Sequence, residues 1–149
     1  MNLFNSNYKT LEEFNLLIVA HEGLLNLESM MSFIQNLNSD PIFSPKFNHF
    51  VDLNNVIFDL SVEDINKYVL HLKSSSEKHG DKKIALITNT PNQVVFSTLF
   101  KLAQEQLQPL QNVQIFSTYE KAFSFLNVQK PSTELILENI KTLKKEFLS

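Results

Sequence analysis

Apolar and polar positions along the chain switch between the two-residue period of β-strands and the three-to-four-residue period of amphipathic α-helices. Short apolar runs of the length of buried strands occupy residues 8–10, 16–20, 49–53, 83–88 and 113–116. Longer segments with one apolar face follow all but the first of these runs. This succession of strands and helices is typical of an α/β domain.

Each helical segment opens with a residue that can cap it. The predicted caps are Asn26, Ser61 paired with Asp64, Thr90 before Pro91, Ser117 paired with Glu120, and Ser132. Two glycines are expected to end elements. Gly23 is expected to end the second strand and Gly80 the second helix, since glycine readily adopts the backbone angles that close a helix.

Joined in order, these elements predict a single α/β domain with a mixed sheet of about five strands flanked by helices. Residues 8–10 and 16–20 would form an N-terminal edge hairpin, and short connections with right-handed crossovers would make the central strands parallel. The predicted division is a loosely ordered N-terminus at 1–7, a domain at 8–127 and an additional amphipathic helix at 132–148. That helix would pack either on its own domain or against a partner protein. A homodimer would form through this helix or through the exposed edge of the sheet.

Composition excludes several kinds of chemistry. The chain has 149 residues, with thirteen lysines, no arginine, no cysteine and a formal net charge of −3. Without cysteine there are no disulfides, thiolate nucleophiles or cysteine-bound metals. Without guanidinium groups, and with a negative net charge, no nucleic-acid partner is expected. No apolar run reaches the roughly 18 residues of a membrane span, and the polar N-terminus lacks the apolar stretch of a signal peptide, so the expected location is cytoplasmic.

Metal and phosphate chemistry have no signature in the sequence. The four histidines are His21, His49, His71 and His79, and no two of them have the four-residue spacing of a helical metal site. The two glycines lie far apart, so no glycine-rich phosphate loop exists. We therefore predict no catalytic residue, no metal site and no cofactor, and expect that the protein is not an enzyme.

Several local phrases resemble one family. They are the proline-containing loop 39–47, Phe50-Val51-Asp52-Leu53-Asn54-Asn55-Val56, the strand 84–88, and 113–116 leading into 120–126. Over roughly Tyr8 to Asn127 the chain resembles the SpoIIAA-like branch of the STAS superfamily. Where many members end with Ala-Trp-Leu, this chain has Ser124-Phe125-Leu126. The resemblance implies a STAS-like non-enzymatic module for regulatory or adaptor-like protein binding, with an unknown protein partner.

In anti-sigma-factor antagonists of this superfamily, a serine opening the helix after the third strand is phosphorylated. Phe58, Asp59, Leu60 and Ser61 stand at the corresponding place, so the resemblance implies a partner-docking or phosphorylation site there. This chain departs from the pattern, because its aspartate lies one residue early and larger residues replace the small residue and glycine that follow the serine.

Charge around Ser61 favours a simpler interpretation. Asp59, Glu63 and Asp64 already surround this serine with carboxylates, so a phosphate carrying about two negative charges would be opposed locally. Ser61 as a plain N-cap is the competing interpretation. The docking hypothesis then depends on Phe58, Leu60 and the start of the helix.

Two further places could hold a small ligand. Thr88, Asn89 and Thr90 end a central strand and open a helix, which is a polar corner suited to a small anion, with a turn plus cap as the alternative. The proline-containing loop 38–48 carries Phe43 and Phe47, which could cover the core or line a cavity. The alternative function is therefore a small apolar ligand or lipid held in a cavity of some hundreds of Å³ beneath this loop.

Overall fold

The computed structural model describes residues 4–75 and 81–148. Five strands form one sheet in the order β1-β2-β3-β4-β5. Their bounds are Asn5–Leu11, Leu16–Leu25, Asn48–Phe58, Lys82–Ile87 and Gln111–Phe116. β1 pairs antiparallel with β2, and every other pair is parallel. The predicted mixed sheet with an N-terminal edge hairpin is thereby confirmed.

The hairpin begins earlier than the apolar run indicated. Strand β1 starts at Asn5, so residues 5–7 belong to the sheet and their prediction as loosely ordered is wrong; residues 1–3 lie outside the described part. A short 3₁₀ turn, Glu12–Phe14, joins the two strands, and Asn15 closes it in the left-handed conformation at φ 53°. The first half of β1 has polar side chains and therefore gave no apolar signal in the sequence, since an edge strand needs few apolar residues.

Strand β3 continues beyond its predicted end because it contains a bulge. Ala20 pairs with Asp52 but Glu22 pairs with Asn55, so β3 carries one extra residue between these pairs. The extra residue shifts the two-residue alternation of side chains by one position. Leu53 and Val56, three residues apart, therefore pack in the same apolar cluster. Strand β2 likewise runs through Gly23, at φ 93°, so the prediction that Gly23 ends it was wrong.

Five α-helices complete the fold within the residues that the structure describes. Their bounds are Leu27–Asn38 (α1), Val62–Ser75 (α2), Pro91–Leu107 (α3), Tyr119–Phe125 (α4) and Ser132–Lys145 (α5). The predicted caps Asn26 and Thr90 are confirmed. Thr118, not Ser117, caps α4, and Ser132 is the first residue of α5 rather than its cap. Gly80, predicted to end α2, lies outside the described residues.

The strand order decides which helices cover which face of the sheet. From β2 to β5 each crossover moves one strand in the same direction, and right-handed crossovers then place their helices on one face. In agreement, α1 packs beside α2 and α2 beside α3, whereas α4 contacts β4 and β5, and α5 contacts β1 and β2. In the part of the chain that the structure describes, the second face is therefore covered mainly by the elements that follow β5, with Phe14 of the hairpin turn packed against the same core.

Helix α5 packs on its own domain. Ile136, Ile140 and Leu143 are almost fully buried and join a core with Ile18 of β2 and Phe50 of β3. The predicted apolar stripe of this helix is correct, and the stripe is covered by this chain rather than by a partner. No helix in the described ranges has the length and apolar character of a membrane span.

Candidate functional site

A cavity lies between the sheet and helices α1, α2 and α3. Its volume is about 150 Å³. Inward-facing strand positions form its floor: Leu17, Val19 and His21 of β2, His49, Val51 and Leu53 of β3, and Lys82, Ile84 and Leu86 of β4. Phe33 and Ile34 of α1, Tyr68 of α2, and Phe96 and Phe100 of α3 lie among the residues that form its roof. The cavity is therefore mostly apolar and extends along the sheet.

Phe43 and Pro45 of the 38–48 loop also line the cavity. Phe43 packs against Phe47 and against His49, with ring centroids 6.4 Å and 6.2 Å apart. The loop is held by Asp40, whose carboxylate accepts a hydrogen bond of 2.6 Å from the hydroxyl of Tyr8. A continuous cavity under this loop agrees with the sequence hypothesis, but its volume is about 150 Å³ rather than several hundred.

The N-terminal edge of the parallel strands gives the cavity one polar end. His49, Lys82 and Gln111 occupy the first cavity-lining positions of β3, β4 and β5. The next inward positions along the first two strands, Val51 and Ile84, are apolar. The register places Lys82 level with Gln111, and His49 level with Ile84, one inward position further along. The three polar side chains therefore form a staggered row near a single edge of the sheet.

Burial disfavours the charged forms of two groups in this row. It lowers the pKa of the Lys82 ammonium from 10.5 to about 8. Burial, together with the charge of Lys82, lowers the pKa of His49 well below its usual value, so His49 is neutral at neutral pH. The His49 Nε2 atom is buried and has no hydrogen-bond partner. This end of the cavity therefore holds one cation beside one neutral, unpartnered imidazole.

Three glutamines close the wall next to this row. The side-chain amide of Gln104 donates to Gln111 at 2.6 Å, that of Gln108 donates to Gln104 at 2.7 Å, and that of Gln111 donates to Gln108 at 3.3 Å. Each glutamine thus donates once and accepts once within a closed ring. A closed ring of hydrogen bonds stiffens a buried wall, so we expect this ring to fix the C-terminal turn of α3 against β5.

Among the described cavity-lining residues, Ser97 carries the second buried polar group without a hydrogen-bond partner. It lies on α3, is 2% exposed, and its hydroxyl has no hydrogen-bond partner. A buried hydroxyl without a partner is uncommon, because its desolvation is not compensated. With His49, it gives a largely apolar cavity two places at which a bound molecule could form a hydrogen bond.

The predicted docking segment is divided between the cavity and the surface. Phe58 and Leu60 line the cavity, and Phe58 stacks on Phe96 with ring centroids 5.6 Å apart. Asp59 and Ser61 are exposed. The Ser61 hydroxyl accepts from the Asp64 amide at 3.0 Å, and the Ser61 amide donates to the Asp64 carboxylate at 3.0 Å. This is the reciprocal cap that the sequence predicted.

We expect Ser61→Ala to lower the free energy of unfolding by about 1 kcal/mol, the usual effect of losing a serine cap. Ser61→Thr keeps a capping hydroxyl and should change stability by a few tenths of a kcal/mol. Urea unfolding followed by circular dichroism compares the two variants. Equal stability of Ser61→Ala and the unaltered protein would show that the cap contributes nothing.

The predicted anion corner is occupied by the protein itself. The amides of Asn89 and Thr90 both donate to the side-chain oxygen of Gln93, at 2.7 Å and 3.2 Å. The Thr90 hydroxyl accepts from the Gln93 amide, and the Thr88 amide donates to the carbonyl of Phe116. These bonds use the backbone donors that an anion would need, which favours the turn-plus-cap interpretation.

Sequence reasoning did not single out Lys82, His49 as a site residue, or Ser97. A signal existed for the first two, because each stands two residues before an apolar position of its strand, and such residues share one face of a sheet. Ser97 follows the helical period on α3, because it lies four residues after the buried Gln93 and seven before the buried Gln104. Among residues 4–75 and 81–148, no three His, Asp or Glu side chains converge on a metal position.

No family model and no curated protein matches the chain. Among solved structures, the chain is similar to an uncharacterised protein of the DUF3478 family with a SpoIIAA-like fold from Shewanella loihica PV-4. The TM-score is 0.53 at 15% sequence identity, and the match covers 85% of this chain and 95% of the other. The fold is therefore SpoIIAA-like, as the sequence resemblance indicated. This similarity shows the fold and does not indicate an activity.

Proposed function

We propose that this protein is a non-enzymatic binding module that encloses a small, largely apolar molecule between its sheet and helices α1 to α3. The observation that carries the proposal is the cavity of about 150 Å³, lined mainly by apolar and aromatic side chains and by a few polar groups. Ligand cavities have this composition, in which apolar walls supply affinity and a few polar atoms fix orientation.

The volume of the cavity limits the size of the ligand. A cavity of about 150 Å³ with apolar walls accommodates a benzene-sized molecule, whereas drug-sized ligands occupy about 300 to 1,000 Å³. The ligand we propose is a single ring or a short alkyl chain. A whole membrane lipid is outside this range, so the proposal narrows the apolar or lipid ligand that the sequence suggested.

Binding of benzene to the unaltered protein tests this proposal. We expect saturable shifts of methyl NMR signals from the cavity-lining residues Val19, Leu53 and Ile84. Ser97→Leu should abolish these shifts, because its side chain would fill the cavity. Thr98→Leu is the matched control, since Thr98 is the exposed neighbour of Ser97 on the same helix. Shifts that persist unchanged in Ser97→Leu, or that never occur, would contradict the proposal.

Ser97→Ala provides an independent check of the same site. Removing a buried hydroxyl that lacks a partner, from a helical position that favours alanine, should raise the free energy of unfolding by about 1 kcal/mol. The variant should still bind benzene. Chemical denaturation measures the stability change. A loss of stability in Ser97→Ala would mean that the hydroxyl has a partner in solution.

Regulatory or adaptor-like protein binding is the second candidate function. One observation favours it: Ile57 and Val62, on either side of the Ser61 cap, are 55% and 58% exposed. The cytoplasmic location of the protein, and so of any such partner, stays a prediction. Mass spectrometry after pulldown, with and without Ser61→Glu, tests it. An interactome that does not change on this substitution would remove Ser61 as a switch.

A further inference from the structure

We infer that the enclosed molecule is a small monocarboxylate and that Lys82, beside His49, binds its carboxylate. This inference rests on the proposed function, because it concerns the same cavity. It identifies the chemical class of the ligand: an apolar ring or short chain with one anionic head, oriented with the head at the N-terminal edge of the sheet.

Charge is the first argument. Among the described residues that line the cavity, Lys82 is the only lysine, and none is an aspartate or a glutamate. Within the described part of the chain, no carboxylate forms an ion pair with it. A partly buried ammonium without a counter-charge is unfavourable, and burial lowers its pKa to about 8. A bound carboxylate would supply the missing counter-charge and favour the charged lysine.

The neighbouring hydrogen-bond groups are the second argument. The His49 Nε2 atom is buried without a partner. As the Nε2–H tautomer of a neutral imidazole, it can donate to the second oxygen of a carboxylate. Gln104, Gln108 and Gln111 bind one another. The row therefore offers one ammonium and one unpartnered imidazole to an anion.

The number and kind of these donors select a carboxylate over a phosphate. Phosphate sites usually combine several donors with guanidinium groups or helix N-termini. The chain has no arginine. The helix end beside this row is the C-terminal end of α3, whose dipole opposes a doubly charged phosphate more than a singly charged carboxylate. One cation and one imidazole match a singly charged head.

Accessibility and orientation complete the argument. Asn38 and Lys82 line the cavity at this edge while being exposed and partly exposed, respectively. The remaining walls are mainly apolar, with Val19, Val51 and Phe100 among them. A head group at the accessible edge and a hydrocarbon tail against these walls would match the polarity of each part of the cavity.

The test compares hexanoate with 1-hexanol, which has a similar chain but no charge. Both are titrated into the full chain by isothermal titration calorimetry at one pH and ionic strength. We expect hexanoate to bind at least about tenfold more tightly than hexanol, and Lys82→Met to weaken hexanoate by about tenfold to hundredfold. Hexanol binding should change by less than about threefold, since methionine preserves the apolar stem.

Lys121→Met is the matched control, because Lys121 is an exposed lysine on α4, across the sheet from the cavity. It should leave both affinities unchanged. Lys82→Gln serves as the second variant if Lys82→Met does not fold, and the comparison of the two probes on the unaltered protein needs no variant.

The outcomes separate the two proposals. Equal binding of hexanoate and hexanol, or hexanoate binding that is insensitive to Lys82→Met, would overturn the anionic head and leave the enclosed apolar ligand standing. Benzene binding without hexanoate binding would have the same meaning. Failure of benzene, hexanol and hexanoate alike to bind the unaltered protein would overturn the proposed function together with this inference.

Discussion

Replacing Ile136 with alanine is expected to lower the free energy of unfolding by about 2 to 5 kcal/mol, the usual effect of removing most of a buried isoleucine side chain. Ile136 is 0% exposed and packs in the core that α5 forms with β2 and β3. Such a loss is a large part of the about 5 to 15 kcal/mol that stabilises an ordinary domain. Urea unfolding measures it.

Leu135 provides the matched control within the same helix. Its side chain is 47% exposed, so Leu135→Ala removes similar volume but leaves no cavity, and should change stability by about 0.5 kcal/mol or less. The same change at both positions would contradict the description of α5 as part of the core. A protein whose near-ultraviolet circular dichroism is unaffected by deleting residues 132–149 would contradict it more directly.

This expectation bears on the predicted division of the chain. The sequence suggested a domain at 8–127 and an additional helix at 132–148. Because the three parallel crossovers place α1, α2 and α3 on one face, α4 alone would have to cover the other, and Leu16 and Ile18 of β2 lie in the core that α5 completes. We therefore propose that α5 belongs to the folding unit.

Regular elements could be predicted because their signal is local. Apolar periodicity and capping residues located five strands and five helices, and Asn26, Ser61 and Thr90 cap as expected. Element ends were less predictable. Strand β3 passes through Asp52 and Asn54 because its pairing with β2 resumes after the bulge and holds it extended. Such pairing partners are not visible in a local window.

The cavity could not be predicted in the same way. Its existence depends on how closely three helices approach one face of the sheet, which is a property of the assembled side chains. The predicted strands 83–88 and 113–116 began after Lys82 and Gln111, and a polar residue at a strand end is ordinarily a surface residue. Only the assembled sheet brings His49, Lys82 and Gln111 into one staggered row at an accessible edge.

On the opposite face of the sheet, a buried ion pair joins α5 to β3. Asp52 is 0% exposed, and the Lys144 ammonium lies 2.8 Å from its carboxylate. The Tyr119 hydroxyl donates to the same carboxylate, and burial together with this bond raises the pKa of Tyr119 above its usual value. The other carboxylate oxygen accepts from the Asn54 amide at 3.0 Å, within the β3 bulge.

Lys144→Met is expected to lower the free energy of unfolding by about 2 to 4 kcal/mol. Removing one partner of a buried ion pair costs about 3 to 5 kcal/mol, because the other charge stays buried; the effect should be somewhat smaller here, since the Lys144 side chain is 30% exposed. Lys145→Met is the control, because this adjacent lysine is exposed and should change stability by about 0.5 kcal/mol or less.

A double-mutant cycle distinguishes a lost ion pair from lost packing of the lysine stem. If the charge left on Asp52 causes the destabilisation, Asp52→Asn combined with Lys144→Met should cost less than the sum of the single changes, by about 1 to 3 kcal/mol. Additive losses would instead mean that Lys144 acts through its hydrocarbon stem. Losses that are less than additive would mean that two contacts hold α5 on the sheet: its apolar stripe and the ion pair between Lys144 and Asp52. Because Asp52 is fixed beside the β3 bulge, the ion pair would then set the position of α5 along the second face of the sheet.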